Sequence, residues 1–387
     1  MKKTNSILAI TLLILAVVTG GSKEITDDPV MVNVRGSYSK KQIKLQDIFD
    51  LEYVALESTD DFICGGAVKD ISDRYIAVTN ENNDGDIFIF DRNGNGLKKI
   101  NHRGQGPGEY IHAGCITLDE VNNEMIISSV ARSQILVYDF NGNFIRNVKL
   151  QDGYNTNGIK NLDKEHWMCI SFSMPIGTNP SFFILSKKEG IIVKTIEMPY
   201  KNLISNSVRI GDGPFGSIPA VGYPCEVFPY RDNWMLAHSS SDTVFMYSLN
   251  HKMTPVIVRT PTIQSMNPET FLVRYMFTDR YWFMESVKKE YDVSTKQFPT
   301  KHLMYDNKEK AIFEYEIFNE DYSDKPFILS DGQSINSGCE IALFAKYEAF
   351  ELLEANKKGK LKGKLKEITS KLKEDDNPVI ILLMHKK

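Results

Sequence analysis

Side chains able to do chemistry are thinly scattered along this sequence of 387 residues. It contains no G-x-S-x-G elbow, P-loop or HExxH segment, so there is no ready-made nucleophile, phosphate cradle or helical zinc pair. His102, His112, His166 and His238 are the best candidate metal ligands. Imidazoles and carboxylates gathered around one cation polarise a substrate oxygen and activate water, as a metal-dependent lyase or lactonase requires. Their spacings do not repeat and an isolated histidine is more often structural, so no metal and no cofactor is assigned. The carboxylate pairs Asp27-Asp28, Asp60-Asp61 and Asp375-Asp376 point to opposite sides of an extended chain and cannot act as an acid/base couple. A glycosidase would need carboxylates from different segments held about 5–9.5 Å apart. Glu109 is the most suggestive single carboxylate, because the glycines before it expose it on a loop; its competing role is to accept neighbouring backbone N–H groups and hold the turn.

Candidate ligand-binding residues fall in two stretches. In Phe271 to Met284, an unbroken strand would put Arg274, Met276, Thr278, Arg280 and Trp282 on one face. Arginines among rings suit an anionic or sugar-like ligand, with sheet-to-sheet packing as the competing reading. From Ile210 to Pro224, four glycines and three prolines surround Phe215 and Tyr223. This composition predicts a long irregular loop, often a binding element in a compact fold.

The elements that must position these residues are short strands in a repeating order. Asp86 to Gly94 is an apolar, β-branched run ending in an Asp/Asn/Gly turn, and Gln134 to Ile145 repeats it. Between them, Gly104, Gly106, Pro107, Gly108, Glu109 and Tyr110 form a loop motif that cannot be helical. Gly94, Gly142 and Gly190 each close a strand and turn, and each lies 48 residues after the last. A constant period of this size with several strands per unit predicts a β-propeller. Later closing strands at Thr243 to Asn250, His302 to Asn307 and Val379 to Met384 bring the number of blades to six. Blades one to five are expected at about Asp70 to Gly94, Ile116 to Gly142, Ile159 to Gly190, Ile191 to Asn250 and Thr254 to Asn307. The segment around Glu52 to Glu57 is expected to give an outer strand to the last blade, closing the ring with both termini. Between Ile341 and Asp376 the composition turns to Ala, Leu, Glu and Lys, predicting a two-helix insertion before the last strand, over 341–356 and 360–373. Its lysines alternate with glutamates, as on a solvated outer face.

The totals narrow the setting. A formal net charge of −4 gives no reason to expect nucleic acid as a partner. Cys64, Cys115, Cys169, Cys225 and Cys339 show no CxxC spacing and read as mostly buried small residues, one of them necessarily unpaired within the chain. Residues 1–21 have the build of a secretory signal: Lys2 and Lys3, an apolar run from Ile7 to Val18, then small residues. The run is short for a transmembrane helix. A lipoprotein would carry cysteine where Gly21 stands, so the expected location is the periplasm or outer-membrane periphery, with a lipid anchor only if position 21 is natively cysteine.

Gly104-Gln105-Gly106-Pro107-Gly108-Glu109-Tyr110, with the strand pair that follows and Ile135 to Phe144, is similar to an NHL-type repeat. With Tyr53 to Asp61 and Glu374 to Ile380, it resembles a secreted family of bacterial six-bladed β-propellers, many of them lipoproteins. The resemblance implies an all-β propeller in the cell envelope and no reaction assignable to named residues. The expected function is therefore a non-enzymatic, monomeric module that binds a small molecule, glycan fragment or envelope protein. The alternatives are a polysaccharide or lactone hydrolase or lyase at the channel mouth, and a scaffold docking through the helices.

Overall fold

The computed structural model describes residues 28–80, 82, 84–171, 180–211, 218–323, 325–329 and 340–386. The signal-like segment, Phe215 and Cys339 lie outside these residues.

Three N-terminal strands, β1 (Val30–Asn33), β2 (Lys40–Lys44) and β3 (Phe49–Ala55), with the single turn α1 (Leu45–Ile48) before β3, precede the repeats. Blade one is β4 (Ala67–Ile71), β5 (Tyr75–Thr79), β6 (Asp86–Asp91) and β7 (Gly96–Asn101). Blade two is β8 (Cys115–Asp119), β9 (Glu124–Ser129), β10 (Gln134–Tyr138) and β11 (Phe144–Lys149). Blade three is β12 (Gly158–Asn161), β13 (His166–Ile170), β14 (Phe182–Ser186) and β15 (Ile192–Ile196). Blade four is β16 (Cys225–Tyr230), β17 (Asn233–His238), β18 (Thr243–Tyr247) and β19 (Met253–Thr260). Blade five is β20 (Thr270–Phe277), β21 (Tyr281–Lys288), β22 (Thr300–Asp306) and β23 (Ala311–Phe318). Blade six joins β24 (Ile341–Tyr347) and β25 (Val379–His385) to β3.

Each blade is an antiparallel meander whose first strand lies innermost, and the six form a β-propeller. Their middle strands are apolar on both faces, as in Ile87–Phe90 and Val379–Leu383, because each blade packs against two neighbours. The apolar clusters follow the ring. One joins Ile89 and Ile100 of blade one to Met125 and Tyr138 of blade two; others join blades two and three, three and four, four and five, and five and six. The last joins Val54, Ile380 and Leu382 of blade six to Val68, Phe88 and Phe90 of blade one. The circle is closed by β3, whose Tyr53 pairs with Ile381, so the N-terminal segment supplies the outer strand of the last blade. Two further N-terminal strands add in parallel outside: β1 on β19 of blade four and β2 on β23 of blade five.

The 48-residue glycine period has a packing cause. Gly94, Gly142 and Gly190 all have positive φ, and each turn lies against the outer strand of the preceding blade. A Cβ would stand 2.1 Å from the Ala55 carbonyl oxygen at Gly94, 2.9 Å from Ile100 at Gly142 and 2.6 Å from Val148 at Gly190. The loop motif is a latch between blades one and two. Glu109 accepts the Gly106 N–H at 2.7 Å, the buried Tyr110 hydroxyl donates to the Gly85 carbonyl at 2.7 Å, and Tyr138 donates to Gly108 at 2.6 Å. The Glu109 carboxylate thus closes its own turn.

Two expectations are corrected. Ile341–Tyr347 is the inner strand of blade six, and the helices are shorter than predicted: α2 (Ala349–Lys357) and α3 (Gly363–Thr369). The Ala/Leu/Phe run from 341 satisfies a doubly buried strand as well as a helix, and the ring requires the strand. The run Phe271 to Met284 is not one strand. A bulge follows Val273, and the chain turns at Thr278–Arg280 into β21, so simple alternation fails. Among the described residues, no helix is long and apolar enough to cross a membrane.

Candidate functional site

Residues of the inner strands line a cavity of about 900 Å³ at the centre of the ring. Because the inner strands β4, β8, β12, β16, β20 and β24 each end their sheets, their inner edges turn backbone N–H and C=O groups towards this space. Blades one and three contribute Lys69, Asp70 and Lys160, blades four and five Glu226, Arg274 and Glu285, and blade six Lys346. An apolar lining of Phe228, Met276, Phe283, Leu343 and Phe344 completes it.

Arg274 organises one wall. It sits at the β20 bulge with φ of 54°, a left-handed conformation uncommon for a non-glycine residue. Its backbone N–H donates to Glu226 Oε2 at 3.1 Å, and its guanidinium donates to Glu285 Oε2 at 2.6 Å. His302 Nδ1 lies 3.0 Å from the other Glu285 oxygen. Burial pushes the Glu226 carboxyl up to about 7 and the nearby Glu285 charge adds to this, whereas the Arg274 N–H and charge pull the other way. On the other wall, Asp70 Oδ2 accepts the Leu118 N–H at 2.8 Å. Desolvation lowers the Lys160 ammonium from its ordinary value, against the pull of Asp70 and Cys115. Lys346 pairs with Glu348 at 2.9 Å. A separate cavity of about 430 Å³, lined by residues of blades one to four, adjoins the buried pair Lys187–Asp119, 2.6 Å apart.

The residues singled out from sequence separate in space. Arg274 and Tyr223 line the channel, Tyr223 with 64% of its surface exposed. Arg280 lies at the turn into β21, bound to Asp306 at 3.1 Å. Trp282 is buried in the apolar cluster between blades four and five. The histidines do not converge. His102 Nε2 donates to the Gly142 carbonyl at 2.8 Å, His166 faces Asp163 at 3.0 Å, and burial lowers His112. His238 is buried, accepts the Ser240 N–H at 3.0 Å and stacks on Tyr200. Among the described residues, no three His, Cys, Asp or Glu side chains are grouped to hold a metal ion. The helices turn Leu352, Ala355, Leu361 and Leu365 into the cluster between blades five and six.

Sequence reasoning passed over Lys69, Lys160, Glu226 and Glu285. Their signal was a charge inside a short apolar strand, as in Val68-Lys69-Asp70-Ile71, Gly158-Ile159-Lys160-Asn161 and Cys225-Glu226-Val227-Phe228. An axial channel, wet where a blade interior is dry, explains such a placement.

The profile of a domain of unknown function, DUF4934, matches residues 29–384. A comparison with curated proteins gives no match. Among solved structures, a Bacteroides fragilis protein provisionally classed as exported is similar over 93% of this chain and 100% of its own, at 15% identity and a TM-score of 0.63. A DUF4221-family member from Bacteroides vulgatus covers 87% of this chain and 98% of its own, at 12% identity and a TM-score of 0.49. Virginiamycin B lyase from Staphylococcus aureus covers 87% and 99%, at 12% identity and a TM-score of 0.40.

Proposed function

The chain belongs to the DUF4934 family, and we propose that it is an exported, non-enzymatic binding module that takes a small polar molecule, such as an organic anion or glycan fragment, into the mouth of its axial channel. The observation that carries this reading is Arg274: a charged side chain held in a left-handed bulge at a cavity wall, where it fixes two carboxylates. Backbone strain of this kind costs about 1–3 kcal/mol and concentrates at ligand sites. A cavity of about 900 Å³ with an apolar floor and a few convergent polar groups is of the size that encloses small ligands. Export rests on the signal-like residues 1–21, and the Bacteroides fragilis protein provisionally classed as exported has a similar fold.

A thermal-shift screen of the chain from Ser22 onward, against sugars, organic anions and divalent metals, tests the reading. A ligand that binds only the folded state raises the melting temperature. The shift should shrink in Arg274→Gly, which keeps the backbone angle while removing the guanidinium. Hits that ignore both Arg274→Gly and Tyr223→Ala would place binding elsewhere.

One observation favours a second reading, a hydrolase or lyase at the same mouth. A carboxyl titrating at about 7 beside Glu285 has the properties of a general acid or base. Turnover of a lactone or oligosaccharide that disappears in Glu226→Gln would support it.

A further inference from the structure

Charge in the helical insertion is unevenly placed. Over its whole length lysines and acids nearly balance, but residues 357–366, from the end of α2 into the first turn of α3, hold six lysines and no acid. Lys357, Lys358, Lys362, Lys364 and Lys366 are exposed, and Lys360 is half-buried. Between them Leu361 and Leu365 are buried in the cluster of blades five and six, and α3 packs against β3, the outer strand of blade six. The run is therefore pinned to the rim of the ring. Two anions stand close to these six cations: Glu354, paired with Lys358, and Asp321, which accepts the Tyr53 hydroxyl at 3.0 Å beside Gly363. Glu351 and Glu367 pair with Lys325 and Lys371, and Glu374, Asp375 and Asp376 lie beyond the end of α3.

Local structure does not account for the run. A helix N-terminus carries positive partial charge and favours acids, yet the first turn of α3 contains Lys364 and no acid, with Lys362 at its N-cap. The chain keeps cations where helix formation disfavours them. Lysine ammonium groups are flexible point charges rather than planar forks, so an exposed row of them suits a diffuse sheet of anionic groups more than one fixed phosphate. Phe350, 53% exposed, lies two turns before Lys357 on the same face of α2 and offers an apolar side chain to a headgroup layer.

We propose that residues 357–366 dock the blade-six rim of the ring on a bilayer surface carrying anionic phospholipid. This surface is separate from the channel, and its test does not involve Arg274.

Sedimentation of the chain from Ser22 onward with vesicles of phosphatidylglycerol and phosphatidylcholine, and with phosphatidylcholine alone, tests the assignment. The chain should sediment with the anionic vesicles only, and its affinity should fall at least about tenfold between about 50 and about 500 mM NaCl. The triple variant Lys362→Gln/Lys364→Gln/Lys366→Gln should bind about ten to one hundred times more weakly. Its urea midpoint should be unchanged or raised, because α3 loses unfavourable charge. Lys149→Gln/Lys188→Gln/Lys194→Gln removes the same charge from exposed positions in blades two and three and should leave the affinity within about twofold. Equal binding to neutral vesicles, no binding to anionic ones, or the same loss in both triple variants overturns the proposal. Binding to dextran sulfate in place of vesicles would make the partner a polyanionic glycan and overturns it too.

Discussion

A carboxyl held among Arg274, Glu285 and the channel lining gives up its proton late, and that delay must register in stability. The Glu226 carboxyl is raised from 4.5 to about 7. For an acid with a raised folded-state value, its contribution to stability is fully present below the unfolded value and is lost as pH climbs through about 7. Because the side chain still meets channel water, the expected loss is about 1–2 kcal/mol rather than the full shift at 1.36 kcal/mol per unit. Urea titrations should therefore show Glu226→Gln gaining on the unmutated chain from pH 5 to pH 8, and a gap independent of pH would remove burial as the cause. His238 works in the opposite direction. Burial lowers it to about 4, so stability present above 6.5 falls away as pH drops towards 4, by about 2–3 kcal/mol. His238→Gln, which cannot take up this proton, should show a flatter melting profile across that window. A steeper profile would contradict the assignment. Arg274 and Tyr223 were legible as candidates from a basic residue among rings and from a Gly/Pro-rich loop. The carboxylates beside Arg274 were not, because a carboxylate declares a role only when blades distant in sequence place it beside a partner.

Turns carry the contact between one blade and the next, and the glycine series ranks them. At Gly142 an added methyl group meets Ile100, a side chain able to move, whereas at Gly94 it meets the Ala55 carbonyl in β3, which is fixed by pairing with β25. Both positions add the cost of a positive φ. Gly142→Ala should cost about 1–2 kcal/mol and Gly94→Ala clearly more, measured as urea midpoints at a common slope; the reverse order would show that the backbone angle, rather than the neighbour, sets the cost. The period was visible in the sequence because a positive-φ glycine packed on the preceding outer strand recurs in the first three blades, and the first two share the turn aspartates Asp91 and Asp139, which each accept two turn N–H groups. It faded where the chain between blades three and four lengthens and where blade six borrows β3. The misread element, Ile341–Tyr347, shows the limit of local pattern. A strand buried on both faces has no alternation, and composition alone does not separate it from a helix.

Closure of the ring is a property of the whole chain, because residues 28–56 reach three different blades. The first two strands reinforce from outside: β1 buries Val32 on blade four and β2 buries Ile43 on blade five. The third completes blade six and, through Val54 and Leu56, seals it against blade one. A chain beginning at Leu45 keeps the circle. It loses a few buried apolar side chains worth about 1.5–3 kcal/mol each and leaves the outer edges of blades four and five uncovered. A chain beginning at Glu57 opens the ring, exposing the β25 edge and the Ile380, Leu382 and Phe88 surface that β3 covers. Open strand edges beside apolar surface associate. The first chain should elute as the full chain does and unfold in one transition at lower urea. The second should elute as larger species on gel filtration and lose the single transition of its buried tryptophans, Trp167, Trp234 and Trp282. Equal midpoints for the two chains would mean that β3 is no more than a third outer strand. A clear separation would make β3 the element on which the channel, and every residue in its walls, depends for its position.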